Sequence, residues 1–268
     1  MTELATYVYC VVRGPGPGAA PEVAGAPTGL PGAGPARALS LGGVLGGPLG
    51  ADLWLVVADV PLADYDGEEI ERRLADMDWV SERAMAHEKV VEHFAASGPV
   101  VPMKLFTLFA GDERAVAGLG GRREALAGIL ARIDGSAEWG LRVVFQESRA
   151  RDARRSGRGG NGGESGTGFL LRKKRQQEAQ RELVREALAS AESAFQALAG
   201  HAREARRRTV VESPGVQLLL DAVFLVAGDR ADEFERAVRS AAVELGDLAC
   251  EVTLTGPWPP YNFVEEAR

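Results

Sequence analysis

The run from Ser148 to Gly168 constrains this chain more than any other feature. It sets Arg149, Arg151, Arg154, Arg155 and Arg158 among glycines and has no apolar side chain larger than alanine. Such a stretch cannot bury enough surface to order itself. It reads as a solvated, flexible hinge, so the apolar patterns on either side must each close a core of their own. The chain has 268 residues, 46% of them hydrophobic, enough for one large or two ordinary domains. The expected class is α/β (α+β), with a first domain over residues 1–147, a Gly/Arg-rich linker over 148–168, and a smaller α/β domain with a long helix over 169–268.

In the first part, Tyr7–Val12 is a β-branched and aromatic run that predicts a strand. Glycine, proline and alanine dominate from there to Pro35, which predicts a flexible insert. Leu53–Val60 reads as a buried strand and Glu68–Leu74 as a short helix. Met77–Ala96 reads as a longer helix, with Val80, Ala84, His87, Val91 and Phe94 on one face. Gly98 and Pro99 end it. Val100–Phe109 is apolar but broken by Pro102 and Lys104, Glu113–Ile133 is helical, and Trp139–Gln146 alternates as a strand does. These pieces predict a two-layer domain with helices on one face of a sheet.

In the second part, Phe169 to about Arg208 carries the longest helical pattern, interrupted at Gly200. Arg172, Lys173, Lys174 and Arg175 fill its first turn, where cations oppose the helix dipole; either solvent or an acidic partner must accommodate them. Val216–Val226 predicts a central strand in which Asp221 needs a covering donor or the solvent side. Asp229–Leu245 is an amphipathic helix, and Ala249–Thr255 a strand with Cys250, Val252 and Leu254 toward the core. The chain then closes on Pro257, Trp258, Pro259, Pro260, Tyr261, Asn262 and Phe263. Prolines stiffen the backbone and remove donors, and rings so clustered should pack against the body or a partner. Trp258, Tyr261 and Phe263 are therefore candidate structural or protein-interaction residues, expected to brace the second domain and border its binding surface.

Little here carries catalysis. Cys10 and Cys250 give neither a disulfide framework nor a four-ligand zinc site. The glycines between Gly42 and Gly50 lack the lysine and the serine or threonine of a phosphate loop, and no nucleophile elbow occurs. His87 and His93 are six residues apart, whereas a helical metal pair wants three or four. His87 lies in the apolar face, as a hydrogen-bonded core histidine would, and His93 and His201 read as surface residues. A small-molecule enzyme would need a pocket near His87, Glu88 and Lys104. The net charge of −7 argues against nucleic acid as a partner. The start lacks a basic leader and no apolar run approaches 18 residues, so a soluble, cytoplasmic protein without membrane association is expected. Nothing in the sequence fixes the oligomeric state.

Several segments, taken in order, resemble the gas vesicle protein GvpL/GvpF family: Ala5–Val12; Leu55–Tyr65; Trp79–Val90, which holds Ala86, His87, Glu88 and Lys89; Gly98–Phe106; Glu138–Val143; and Leu254–Phe263. The closing segment is the most specific. Two places depart from the family pattern. Residues 14–35 are unusually rich in proline and glycine, and Lys104 stands where the family more often has arginine; lysine keeps the charge but loses the planar fork.

The resemblance implies an accessory and minor structural role in gas vesicle formation. The protein would bind the hydrophobic shell protein or other vesicle proteins during nucleation and growth. The resemblance also implies two domains with a ferredoxin-like element in the first, and neither catalytic activity nor a cofactor. The physics fits: an assembling shell subunit exposes apolar surface and sheet edges, which a partner covers by strand addition or with an aromatic patch.

Overall fold

β1 (Leu4–Arg13) is buried over eight successive residues, more than a strand with one covered face allows. In the computed structural model, which describes residues 3–43, 52–148, 166–209 and 217–264, this strand is the heart of the first of two compact units. That unit comprises residues 1–136 together with 258–268. β2 (Arg37–Gly43), β3 (Asp52–Pro61), β1 and β4 (Val100–Pro102) lie in that order, and β5 (Leu108–Phe109) also pairs with β1. All these pairings are antiparallel.

Side-chain alternation divides the sheet into two faces. Tyr7, Tyr9, Val56, Ala58 and Val60 meet Val90, Val91 and Phe94 of α3 (Met77–Ala95). The alternate set, Val8, Val11, Leu53, Leu55 and Val57, is equally buried. On that side Thr6 hydrogen-bonds Asp112 at the start of α4 (Asp112–Gly120), and α5 (Arg123–Ile133) packs on β1 and β4. The expectation of helices on one face is thus corrected: helices cover both. The helical stretch over 113–133 is two helices, parted around Gly121. The two helices before β4 that follow α1 (Leu62–Tyr65) start at aspartates. Asp66 accepts the Glu69 N–H at 2.7 Å ahead of α2 (Gly67–Arg73), and Asp76 accepts the Trp79 N–H at 3.1 Å ahead of α3.

The Gly/Pro-rich stretch over 14–35 is ordered, contrary to the flexible insert expected. A single leucine anchors it. Leu30 is fully buried, its N–H reaches the Tyr9 hydroxyl at 3.1 Å, and the Tyr65 hydroxyl donates to the Pro31 carbonyl at 2.7 Å. Gly34 N–H bonds the Asp59 carbonyl at 2.8 Å. Gly29 lies so close to Tyr9 that a β-carbon there would stand 1.8 Å from its hydroxyl.

The second compact unit spans residues 137–257. Its elements are β6 (Ser136–Phe145), α6 (Gly166–Ala199), β7 (Glu204–Arg207), β8 (Gln217–Ala227), α7 (Ala231–Asp247) and β9 (Cys250–Trp258), with sheet order β7-β8-β6-β9. The β-α-β-β-α-β succession of a ferredoxin-like fold, expected in the first domain, is carried by this unit instead. Its core joins Trp139, Leu141, Val143, Phe145, Leu220, Ala222, Phe224 and Val226 to Ala187, Ala191, Phe195 and Leu198 of α6 and Phe234, Val238 and Leu245 of α7. Asp221 finds the donors it needs: Arg208 Nε and Nη2 at 2.8 and 2.5 Å, and Arg142 at 3.4 Å. The long helix ends at Ala199, and the charged strand β7 follows where helix was expected. The second unit begins at Ala137, one residue into β6, whereas the sequence reading sets the boundary at 147/148. Residues 149–165 of the expected hinge lie outside the described residues.

Candidate functional site

The closing segment leaves β9 and joins the first unit. The sequence reading places its rings on the second, so their destination is a correction. The physical reason lies in the residues after the strand. Pro259 and Pro260 are buried, Tyr261 N–H donates to Pro259 O at 2.8 Å, and a 3-10 turn over Tyr261–Phe263 is closed by Phe263 N–H to Pro260 O at 3.0 Å. Phe263 is fully buried, and its carbonyl accepts from Arg132 Nη2 of α5 at 2.5 Å. The Tyr261 ring packs against the α3 side of the core, and its hydroxyl donates to Glu88 Oε2 at 2.5 Å. Burial raises the Tyr261 hydroxyl well above the ordinary tyrosine value, and the neighbouring Glu88 carboxylate adds to this. The tyrosine therefore stays protonated and keeps donating. Trp258 lies outside this lock and is 44% exposed.

Beside Glu88 on the same helix is a buried polar hub. His87 is 3% exposed, held between the rings of Tyr7 and Tyr9 at centroid distances of 5.7 and 5.6 Å. The Tyr7 hydroxyl and His87 Nδ1 are 2.7 Å apart, and Phe106 N–H reaches the same hydroxyl at 3.3 Å. With Phe106 donating to the oxygen, the hydroxyl proton goes to Nδ1, which sets the Nε2–H tautomer. Burial pulls the His87 pKa down to about 4; the Met103 backbone opposes this without full hydrogen-bond geometry. Burial likewise raises Tyr7 and Tyr9 above the ordinary range. Neutral and enclosed, His87 offers no atom to a substrate, so the pocket considered around His87, Glu88 and Lys104 loses its base. Lys104 itself is exposed on the turn after β4, where its carbonyl accepts from the Thr107 hydroxyl at 2.7 Å.

The structure thus brings three expected residues together, His87, Glu88 and Tyr261; Phe263 is buried beside Arg132, while Trp258 and Lys104 are exposed. Lys173, Lys174 and Arg175 are exposed near the start of α6; the Arg172 side chain lies outside the described residues. His93 and His201, expected at the surface, are half-buried there. Sequence reasoning missed Tyr7, Tyr9, Arg132 and Arg83, whose guanidinium lies 4.0 Å from the Trp79 ring centroid and 5.6 Å from that of Tyr65. The signal was present in β1: two tyrosines alternating in an aliphatic strand bring two hydroxyls into a core, and each demands a partner. Among the described residues, no group of three or more His, Cys, Asp or Glu is placed to hold a metal. Nor is any helix among them long and apolar enough to cross a membrane.

Comparison with known proteins gives a consistent picture. The chain is 29% identical over 267 residues to gas vesicle protein L of Streptomyces sp. (strain CB03234), covering 98% of this chain and 93% of that protein. Its fold is similar to the crystal structure of GvpF from Anabaena sp. PCC7120, with a TM-score of 0.66, 14% identity, and coverage of 99% and 98% of the two chains. GvpF from Microcystis aeruginosa gives a TM-score of 0.63 at 15% identity, with coverage of 98% and 99%. These two likenesses speak to the fold. The family described as gas vesicle synthesis protein GvpL/GvpF matches residues 5–265, from the tyrosine-bearing first strand through the locked closing segment, and the chain belongs to that family.

Proposed function

We propose that this protein is an accessory factor of gas vesicle assembly that binds the hydrophobic shell protein, or other vesicle proteins, during nucleation and growth in the cytoplasm. The observation that carries this reading is the family match across residues 5–265. The geometry supports a binding role over a catalytic one, since the titratable groups that cluster, His87, Tyr7, Tyr9, Tyr261 and Glu88, serve packing and the fixing of the closing segment. An assembly factor needs a rigid body with open apolar and backbone surface, and the exposed Trp258 at the end of β9 belongs to such a surface. The exposed Lys173, Lys174 and Arg175 suit contacts with acidic accessory proteins, which salt would weaken.

The test is co-expression of the tagged chain with each vesicle protein in turn, followed by affinity capture at matched salt. Retention of the shell protein or of an accessory protein is expected. Failure to retain any vesicle protein would overturn the proposal.

A further inference from the structure

A strand as apolar as β8 has no structural need of a carboxylate at its centre. Asp221 is its one ionisable residue, and an apolar side chain at a buried position often stabilises as well as an ion pair does. The core residues of all four strands face α6 and α7. Alternation puts Asp221, with Gly140, Arg142, Arg208 and Thr255, on the opposite face of the second sheet. There two guanidinium groups converge on the carboxylate. Arg208, the first residue after β7, gives Nε and Nη2 to Oδ1 at 2.8 and 2.5 Å, and Arg142 of β6 gives Nη2 to Oδ2 at 3.4 Å.

The three charged groups are unequally buried. The Asp221 side chain is 9% exposed, whereas those of Arg142 and Arg208 are 56% and 40% exposed. The anion therefore forms the floor and the cations open to solvent. Two cations over one anion leave a net positive charge facing outward. Beside Arg208 the floor is a buried glycine. A β-carbon on Gly140 would stand 2.6 Å from Thr255 Oγ1 and 3.9 Å from Arg208 Nη2, so a hydroxyl and a guanidinium meet over bare backbone.

We infer that Arg142 and Arg208, together with the Thr255 hydroxyl, form a carboxylate-binding cradle that takes an acidic segment of an accessory vesicle protein. Guanidinium groups bind carboxylates through paired N–H donors. Asp221 is a positioning residue: groups it already holds lose less freedom when a ligand arrives. Two arginines aimed at one spot match a single carboxylate; a nucleic acid, with its row of phosphates, takes a stripe of cations. The inference rests on the partnership proposed above and gives it a contact.

The test titrates the full-length chain with a hexaglutamate peptide at low salt, followed by calorimetry. Arg142→Gln removes one exposed cation and leaves both Arg208 bonds on Asp221; it should weaken binding about fivefold. Neutralising Lys173, Lys174 and Arg175 together should change it by less than about twofold. In the wild-type chain, bound peptide should slow phenylglyoxal modification of Arg142 and Arg208, mapped by mass spectrometry; this readout decides alone if the variant does not fold. No binding of the peptide overturns the cradle. So does binding that leaves both arginines unprotected, that is lost only when Lys173–Arg175 are neutralised, or that is weaker than binding of an oligothymidylate of equal length. None of these results touches the capture of vesicle proteins by the wild-type chain. Conversely, a chain that binds the peptide at the cradle but captures no vesicle protein overturns the partnership and leaves the carboxylate site standing.

Discussion

His87 should make the first unit sensitive to mild acid. In the unfolded chain its imidazole titrates near the ordinary 6.5, while in the fold burial holds it at about 4. Between these values the unfolded chain binds more protons, so stability rises with pH. The contribution is fully present above pH 6.5 and is lost as pH falls through about 4. At 1.36 kcal/mol per pH unit, the gap corresponds to about 3 kcal/mol. His87→Gln removes the titration while keeping a polar group beside the Tyr7 hydroxyl. The carboxylates titrate alike in both proteins, so the difference between their stabilities across pH 4–7 isolates the imidazole. Wild-type stability should fall by about 3 kcal/mol more than that of the variant over this window, measured by denaturant unfolding with a probe in the first unit. The imidazole proton resonance of His87 should titrate near 4. Parallel profiles for the two proteins, or a His87 resonance titrating near 6.5, would show that the buried imidazole does not carry this effect.

Three substitutions probe the rest. Phe263→Ala should destabilise the first unit by about 3–5 kcal/mol, the cost of truncating a fully buried phenylalanine, with calorimetry as the check. Gly29→Ala should cost about 1–3 kcal/mol by driving a methyl group into the Tyr9 hydroxyl; Gly34→Ala, with no atom closer than 3.8 Å, serves as the milder comparison in the same denaturant series. Trp258→Ala should leave stability within about 0.5 kcal/mol, as exposed positions do, yet lower shell-protein capture; capture equal to wild type would remove this ring from the binding surface.

Much of the fold was legible because it is dictated by period. The apolar runs of β1, β3 and β8 and the faces of α3 and α7 are where alternation and helical spacing put them. What escaped depended on single residues or distant ones. Composition declares residues 14–35 formless, yet Leu30 between Tyr9 and Tyr65 is enough to hold them, and no window average weighs one leucine so heavily. β7 is hidden because three of its four residues are charged and only pairing with β8 makes it a strand. The rings of the closing segment announced their own burial but not its place. Tyr261 and Glu88 are 173 residues apart in sequence, and local pattern holds no information about such a pair. Trp258, read with the same cluster, differs because it precedes the two buried prolines that turn the chain inward.

Residues 259–263 are built into the first unit by Phe263, the Tyr261–Glu88 bond and the Arg132–Phe263 bond. Amide hydrogen exchange of the isolated protein probes that lock at its innermost point. The Phe263 N–H, bonded to the Pro260 carbonyl, should exchange as slowly as amides of α3. Exchange there at the rate of an unstructured peptide would mean that the segment is not locked into the unit at all.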